Sequence, residues 1–250
     1  MFRMLRLTPP HGWNAVGWEL GIVTAGVLIA LGAQQWAENR SWNAKVAQSR
    51  QAITEELHKH STYAVEWRVV QPCIDAQLDR LRQIVVASGD RLDKVDAHRD
   101  DILTSFVVRL PAKDYVDGSW QAAIADGVAP RLDPEVRSLL IDHYAAISEL
   151  ETNTAQSTVM ERGLIPLAQP LELTPDVRFT LLDRIAALQA LSRFIDLQAG
   201  QVLDYANRLK MVPPSAQVRD EVERYGTYKF CRARGLPLRS YVDAMRPVPN

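Results

Sequence analysis

A charge-free apolar run near the N-terminus, residues 20–33, constrains this chain more than any other feature. Four of the six tryptophans bracket the run: Trp13, Trp18, Trp36 and Trp42. Trp18 and Trp36 are separated by roughly 27 Å if the segment is helical. A hydrocarbon core is about 30 Å thick, and tryptophan prefers its two edges. The sequence therefore predicts a single transmembrane helix over residues 15–37, behind a short N-terminal stub of residues 1–14.

Two other interpretations of the run stay open. Arg3 and Arg6 before an apolar stretch would suit a signal peptide cleaved after Ala33, and a buried helix of a soluble domain would also be apolar. Two features disfavour cleavage. The segment before the apolar run, which would be the n-region of a signal peptide, ends in the acidic Glu19, and the helical pattern continues without a break past Gln34. The flanking positive charges are nearly balanced, so they favour neither orientation in the membrane.

Small residues recur along the predicted transmembrane helix. Gly17, Gly21 and Ala25 are four positions apart, a spacing that lets two helix backbones approach closely. Glu19 lies roughly 10 Å from the middle of the segment. A carboxylate there either reaches the headgroups or contacts another transmembrane helix. The lipid bilayer is thus the first expected partner, and a homodimer through these four residues is a further hypothesis.

Behind the membrane segment, apolar residues keep helical spacing over long stretches. Steps of three and four dominate from Trp42 to Val85, which predicts one long helix. Pro72 should kink or restart this helix, because proline lacks the N–H and clashes with the preceding turn. Ser88-Gly89-Asp90 should end it.

Two proline-containing signals predict the other long helices. In Asp133-Pro134 and in Thr174-Pro175, a capping side chain precedes a proline at the first helical position. The apolar stripe that follows Thr174 extends from Val177 to Leu209. Long amphipathic helices without an alternating strand pattern indicate an all-α fold, an antiparallel helical bundle over residues 38–228.

Shorter elements are predicted between and after these helices. Residues 95–108 have a helical composition, and serine caps predict helices over residues 119–127 and 215–228. The remaining residues, 229–250, are rich in arginine and are predicted to form an irregular basic tail.

Composition and motifs weigh against several function classes. The formal net charge of -1 indicates no nucleic-acid partner. The sequence contains no GxSxG, SxxK or HExxH motif and no phosphate-binding glycine loop, so we predict no catalytic residue, metal ligand or cofactor. His58 and His60 would point to different faces of a helix, which disfavours a shared metal ion. His143 fits a packed core position, and His98 with its neighbouring aspartates fits a solvated face.

Several short segments resemble a known family. Trp18-Glu-Leu, Gly26-Val-Leu-Ile-Ala-Leu and Gln34-Gln-Trp-Ala-Glu-Asn-Arg40, which lead into a long polar helix, are similar to the start of a family of uncharacterised single-pass membrane-anchored bacterial proteins. Ser119-Trp120, Gly127 and Leu132-Asp133, before a helix that contains Tyr144, also resemble that family. The resemblance implies an anchor in the inner membrane of a Gram-negative bacterium and a periplasmic helical domain. It implies no activity.

The chain has two cysteines, Cys73 and Cys231. In an oxidising compartment we expect them to pair, which would tie the first long helix to the C-terminal tail. Closing so long a loop stabilises a fold by roughly 4–5 kcal/mol in the chain-entropy description. In a cytoplasmic domain the same residues would be two buried thiols. The pairing is therefore conditional on export.

The expected role follows from architecture, because no motif indicates chemistry. We predict a non-enzymatic interaction or scaffold protein of the cell envelope that binds another protein through its helical domain. The alternative is a periplasmic ligand-sensing bundle that acts through a partner, since no second charge-free run is long enough to span a membrane.

Overall fold

The computed structural model of this protein describes residues 12–99 and 105–248; most of the predicted N-terminal stub lies outside them. Helices dominate, which confirms the all-α prediction. The helices are α1 (Gly12–Ala87), α2 (Gly118–Ala125), α3 (Pro134–Arg162), α4 (Pro175–Arg208), α5 (Ser215–Val222), α6 (Gly226–Ala233) and α7 (Tyr241–Ala244), with 3-10 turns at Ala129–Arg131 and Ile165–Ala168. Two-residue strands are β1 (Arg91–Leu92), β2 (His98–Arg99), β3 (Ser105–Phe106) and β4 (Leu171–Glu172); β1 pairs with β4 and β2 with β3, both antiparallel.

The chain divides into two compact units, one up to Arg50 and one from Gln51 onward. In the first unit, α1 is the one helix within the described residues that is long and apolar enough to cross a membrane. None of the side chains in its apolar window is buried. Just after the predicted span, the Arg40 guanidinium lies 5.7 Å from the Trp36 ring centroid and the Lys45 ammonium lies 4.8 Å from that of Trp42.

In the second unit, α1 forms the centre of the core. Residues 64–71 are buried on every side of the helix, polar side chains included, so this stretch is surrounded rather than packed along a single stripe. The Trp67 indole N–H donates to the Ser192 carbonyl at 3.1 Å, which fixes α4 against α1. The core is completed by apolar residues of α3, α5 and α6.

The helix α1 continues through Pro72, so the predicted restart at this proline is wrong. Packing on all sides holds this part of α1 in its helical path even though the proline removes one backbone donor. The backbone carbonyl of Val69, in the turn before Pro72, accepts a hydrogen bond from the Arg239 N–H at 2.9 Å and so has a partner outside the helix.

The two predicted proline-containing caps are confirmed. Asp133 precedes α3, and its side chain accepts hydrogen bonds from the Glu135 and Val136 N–H groups at 2.9 and 3.3 Å. Thr174 precedes α4 in the same way, and its hydroxyl accepts from the Val177 N–H at 3.3 Å. The two helices pack against each other.

The predicted helix over residues 95–108 is wrong in its described part. The chain instead forms the pair β2–β3, with His98 opposite Phe106; residues 100–104 lie outside the described chain. Phe106, Val107 and Val108 are buried in succession, a pattern that an amphipathic helix lying on one face does not produce.

The helix over 119–127 exists but begins differently. Its N-cap position is Asp117 rather than Ser119, and the Ser119 N–H donates to a Glu56 carboxylate oxygen at 2.9 Å. The predicted glycine end is confirmed: Gly127 has a φ of 69°, and the Val128 N–H bonds back to the Ala123 carbonyl at 2.9 Å.

The C-terminal part is more ordered than predicted. Ser215 is the first residue of α5 rather than its cap, and α5 ends at Val222 instead of continuing to residue 228. The stretch 229–250 is not irregular, since it contains the end of α6 and all of α7. Such short helices gain little stability alone and form here because they bury Cys231 and Ala244 in the core.

The last described residues bind α4 directly. The Val248 N–H donates to the Gly200 carbonyl at 3.1 Å. A Cβ at Gly200 would lie 2.5 Å from Val248 Cγ2 and 2.9 Å from Val248 Cβ, so only glycine permits this approach.

Replacing Gly200 with alanine should detach this end of the chain. Because the new methyl group overlaps Val248, we expect the free energy of unfolding to fall by about 1–3 kcal/mol, even though alanine favours helix. Urea denaturation measures the loss. Gly118→Ala is the matched control, since no atom lies within 4 Å of a Cβ there. Equal stability of the two variants would contradict the close approach.

Candidate functional site

A disulfide joins α1 to α6. The Sγ atoms of Cys73 and Cys231 are bonded at 2.03 Å, their Cα atoms are 6.0 Å apart, and both residues are fully buried. The Gln77 amide nitrogen lies 3.4 Å from the Cys73 sulfur, and its oxygen accepts from the Arg109 N–H at 2.8 Å. The bond therefore lies in a region where α1, α6 and the segment after β3 meet.

A cavity of about 260 Å³ opens next to the disulfide. Its walls come from α1, from the β2–β3 region and from the end of α6, and are formed by Ala76, Gln77, Arg80, Leu81, Val95, Asp96, His98, Val107, Phe230, Arg234 and Leu236. Phe230 is the neighbour of Cys231 in the sequence, and Gln77 is one turn from Cys73. The disulfide thus fixes two walls of the cavity against each other.

His98 lies at the centre of the polar contacts in this cavity. An Arg234 guanidinium nitrogen lies 2.9 Å from His98 Nδ1, and because arginine can only donate, Nδ1 is the acceptor. Burial, followed by the charges of Arg234 and Arg80, lowers the pKa of His98, while Asp96 acts in the opposite direction. The ring packs 5.2 Å from Phe230, so His98 is half-buried rather than fully solvated, while the neighbouring Asp96 is exposed.

A second polar cluster lies in the core between α1, α2 and α3. The Tyr144 hydroxyl donates to Glu56 Oε1 at 2.5 Å, and the Tyr144 ring stacks on Trp120 at 5.6 Å. Glu56 Oε2 accepts the Ser119 N–H already described. One carboxylate therefore orders both the start of α2 and the position of α3, which is a structural role.

Two buried histidines lie beside this cluster. His60 Nε2 lies 2.8 Å from the Val116 carbonyl and must donate to it. His60 Nδ1 then accepts from His143 Nε2 at 3.2 Å, and both rings are fully buried. Burial lowers the pKa of His60, and burial together with His60 lowers the pKa of His143 to about 3. His143 is thus a packed core histidine, as predicted, and the pair is neutral at physiological pH.

Among the described residues, His58 and His60 do not form a shared metal site. His58 is only half-buried and points away from the face that carries His60. In the described ranges, no group of three histidine, cysteine or acidic side chains is placed to hold a metal ion.

The predicted transmembrane contact residues all lie exposed on α1. These residues are Gly17, Glu19, Gly21 and Ala25. A Cβ at either glycine would meet no atom within 4 Å, so the small-residue side of the helix is open. Contact with a second transmembrane helix stays a prediction.

The sequence did not indicate the cavity. Its walls come from residues far apart in the chain, and the sequence predicts the wrong local structure for two of the three contributing segments. One feature of the sequence could have indicated this site. Phe230 and Arg234 are four positions apart, next to Cys231, and would lie on the same side of a helix.

Comparisons of this chain with protein-family models, with curated proteins and with solved structures gave no match. Function is therefore inferred from the side chains and surfaces of this protein itself.

Removing the disulfide should destabilise the domain. Without the crosslink the unfolded chain regains the freedom of a loop of 158 residues, so we expect Cys73→Ala/Cys231→Ala to lose about 2–5 kcal/mol. Urea denaturation of the oxidised protein and of the variant measures the difference. Reductant should lower the stability of the parent and leave the variant unchanged. A parent insensitive to reductant would contradict the bond.

The buried histidine pair should make stability depend on pH. In the unfolded state a histidine is protonated below about pH 6.5. In the folded state His143 stays neutral until the pH approaches its lowered pKa of about 3. The free energy of unfolding should therefore fall as pH decreases through this window, by about 1.4 kcal/mol per pH unit for one histidine. Glu66 has the opposite effect on stability. Burial raises its pKa from 4.5 to about 7, so the folded state favours the protonated carboxyl group, and this contribution to stability is lost as the pH rises through that range.

The variant His143→Gln isolates the histidine contribution. Its unfolding free energy, measured in urea between pH 4.5 and 6.5, should change with pH less steeply than that of the parent by about 1.4 kcal/mol per unit. The matched control His58→Gln should keep the parental slope. Parallel pH profiles for the parent and His143→Gln would show that the pair does not resist protonation.

Proposed function

We propose that this chain is a non-enzymatic, membrane-anchored interaction or scaffold protein of the cell envelope, and that its helical domain binds another protein through the outer face of α4. An exposed apolar row on that helix carries the proposal. Phe179 and Leu197 are 73% and 43% exposed. They lie five helical turns apart on the same side of α4, roughly 27 Å from each other.

Smaller apolar residues lie between these two. Ala186 and Ala190 lie exposed between the two larger residues, and Phe194 lies exposed beside them. Single exposed apolar side chains are normal on soluble domains, whereas contiguous apolar surface marks a place where another molecule binds.

The neighbouring helix α3 has a similar outer face. Ile141 and Val159, 52% and 67% exposed, are again five turns apart, with Ala145 and Ala155 exposed between them. Two packed helices that both present small and apolar residues outward offer the kind of low-relief surface that accepts another helix.

Membrane anchoring is proposed from the N-terminal part of α1. This helix is long and apolar enough to cross a bilayer, and the Trp36–Arg40 and Trp42–Lys45 pairs after its apolar part combine an aromatic ring with a cation. Such pairs suit the headgroup region, where tryptophan and basic side chains meet lipid phosphate.

A periplasmic location of the domain is proposed from the disulfide. A fully buried bond between two distant elements forms and persists in an oxidising compartment. The resemblance to single-pass membrane-anchored bacterial proteins points to the same compartment, with the anchor in the inner membrane.

A ligand-sensing bundle that acts through a partner is the second candidate. It is favoured by one observation, the cavity between α1 and α6. The two candidates differ in what occupies the domain: a protein on α4 in the first, a small molecule in the cavity in the second.

Site-specific crosslinking tests the docking face. A photoreactive amino acid placed at position 179 or 197 of the full-length protein, in intact cells, should give a discrete crosslinked species. The same probe at Asp220, exposed on α5, serves as the matched control and should not. The observations that would reject the proposal are no crosslink at either α4 position, or the same species at position 220.

The variant Phe179→Ser/Leu197→Ser separates docking from folding. Because both residues are exposed, the free energy of unfolding should change by no more than about 0.5 kcal/mol. A crosslink from the neighbouring position 190 should nevertheless weaken strongly. An unchanged crosslink would show that the apolar row does not bind the partner.

A further inference from the structure

The cavity beside the disulfide has the size of a small organic molecule. An apolar cavity of about 150 Å³ holds a benzene molecule, and this one measures about 260 Å³. Leu81, Phe230 and Leu236 provide apolar wall. There is therefore room for a ring or short chain together with a charged group.

The charged residues of the cavity favour an anion. Among the described residues that line it, Arg80 and Arg234 are opposed by one carboxylate, that of Asp96. Within the described chain Arg80 makes no hydrogen bond and no ion pair, and Arg234 donates to an uncharged imidazole. Guanidinium groups carry donors in a fixed fork that matches a carboxylate. Within the described residues, neither of these two forks is paired with a carboxylate.

His98 adds a further donor. Since its Nδ1 accepts from Arg234, the neutral ring carries its proton on Nε2. The Phe230 ring lies 5.2 Å away and is also covered by the Arg234 guanidinium, 5.1 Å from its centroid. An aromatic surface thus lies directly next to the donors.

We infer that this cavity binds a small organic carboxylate, recognised by Arg80 and Arg234, whose apolar part packs on Phe230. The inference does not rest on the docking face of α4, because the residues that carry it belong to α1, to the β2–β3 region and to the end of α6. The disulfide contributes by holding α6 against α1, so that the two arginines face one space.

Benzoate is the probe, and benzamide is its uncharged counterpart of the same shape. Isothermal titration of the full-length protein in detergent micelles, with empty micelles subtracted, should show saturable binding of benzoate and none of benzamide. Each of Arg80→Gln and Arg234→Gln should weaken benzoate binding by more than about tenfold, since each removes a charge-assisted hydrogen bond. Both arginines are exposed, so the variants should fold, which urea denaturation checks.

Arg82→Gln is the matched control. Arg82 lies on the same helix, pairs with Asp79 at 3.5 Å and does not line the cavity, so its loss should leave the affinity unchanged. As an independent readout, the pKa of His98 followed by NMR should rise when benzoate is bound, because an anion favours the imidazolium. The inference is overturned by equal binding of benzamide, by equal weakening in Arg82→Gln, by an unchanged His98 pKa at saturation, or by no binding at millimolar benzoate.

Discussion

The second unit depends on burying the middle of α1 on all sides. A helix surrounded in this way has no solvent face for its polar side chains, and a buried charge is costly unless it is paired. Glu66 is therefore met by Lys113 at 3.3 Å, which orders the segment before α2. The Arg68 guanidinium donates to the Ala244 carbonyl at 2.9 Å and lies 3.6 Å from the Asp196 carboxylate. The same carboxylate accepts two hydrogen bonds from Arg239. The need to satisfy two buried ionisable side chains on one helix thus explains why a loop and the C-terminal end are ordered against it.

Elements with a local signal could be predicted, and those that depend on distant partners could not. Asp133 and Thr174 form their caps with residues two or three positions away, so the starts of α3 and α4 followed from the sequence. By contrast, α6 forms around Cys231, whose partner is 158 residues away. The cavity has the same difficulty, because His98 and Arg234 are 136 positions apart. The disulfide could be anticipated only as conditional on the compartment, since two cysteines allow one pairing but do not reveal the redox environment.

The two proposed binding places use different physics. The outer face of α4 is a row of small and apolar side chains whose binding energy would come from removing that surface from water. The cavity is half polar, and its selectivity would come from arginine donors that are not paired with a carboxylate among the described residues. A protein partner and a small carboxylate therefore need not compete, and each surface can be altered without changing the other.

The position of the disulfide also determines how the chain carries mechanical load. A covalent path from the N-terminal part of α1 reaches Cys73 along the helix, crosses the sulfur–sulfur bond to Cys231 and continues through α6. Tension applied between the N-terminal part of α1 and the chain after α6 would follow this short covalent route and bypass α2 to α5. Those helices belong to the covalent loop that the disulfide closes, so the tension would not extend them while the bond is oxidised, whereas the core stretch 64–71 of α1 precedes Cys73 and would carry the load.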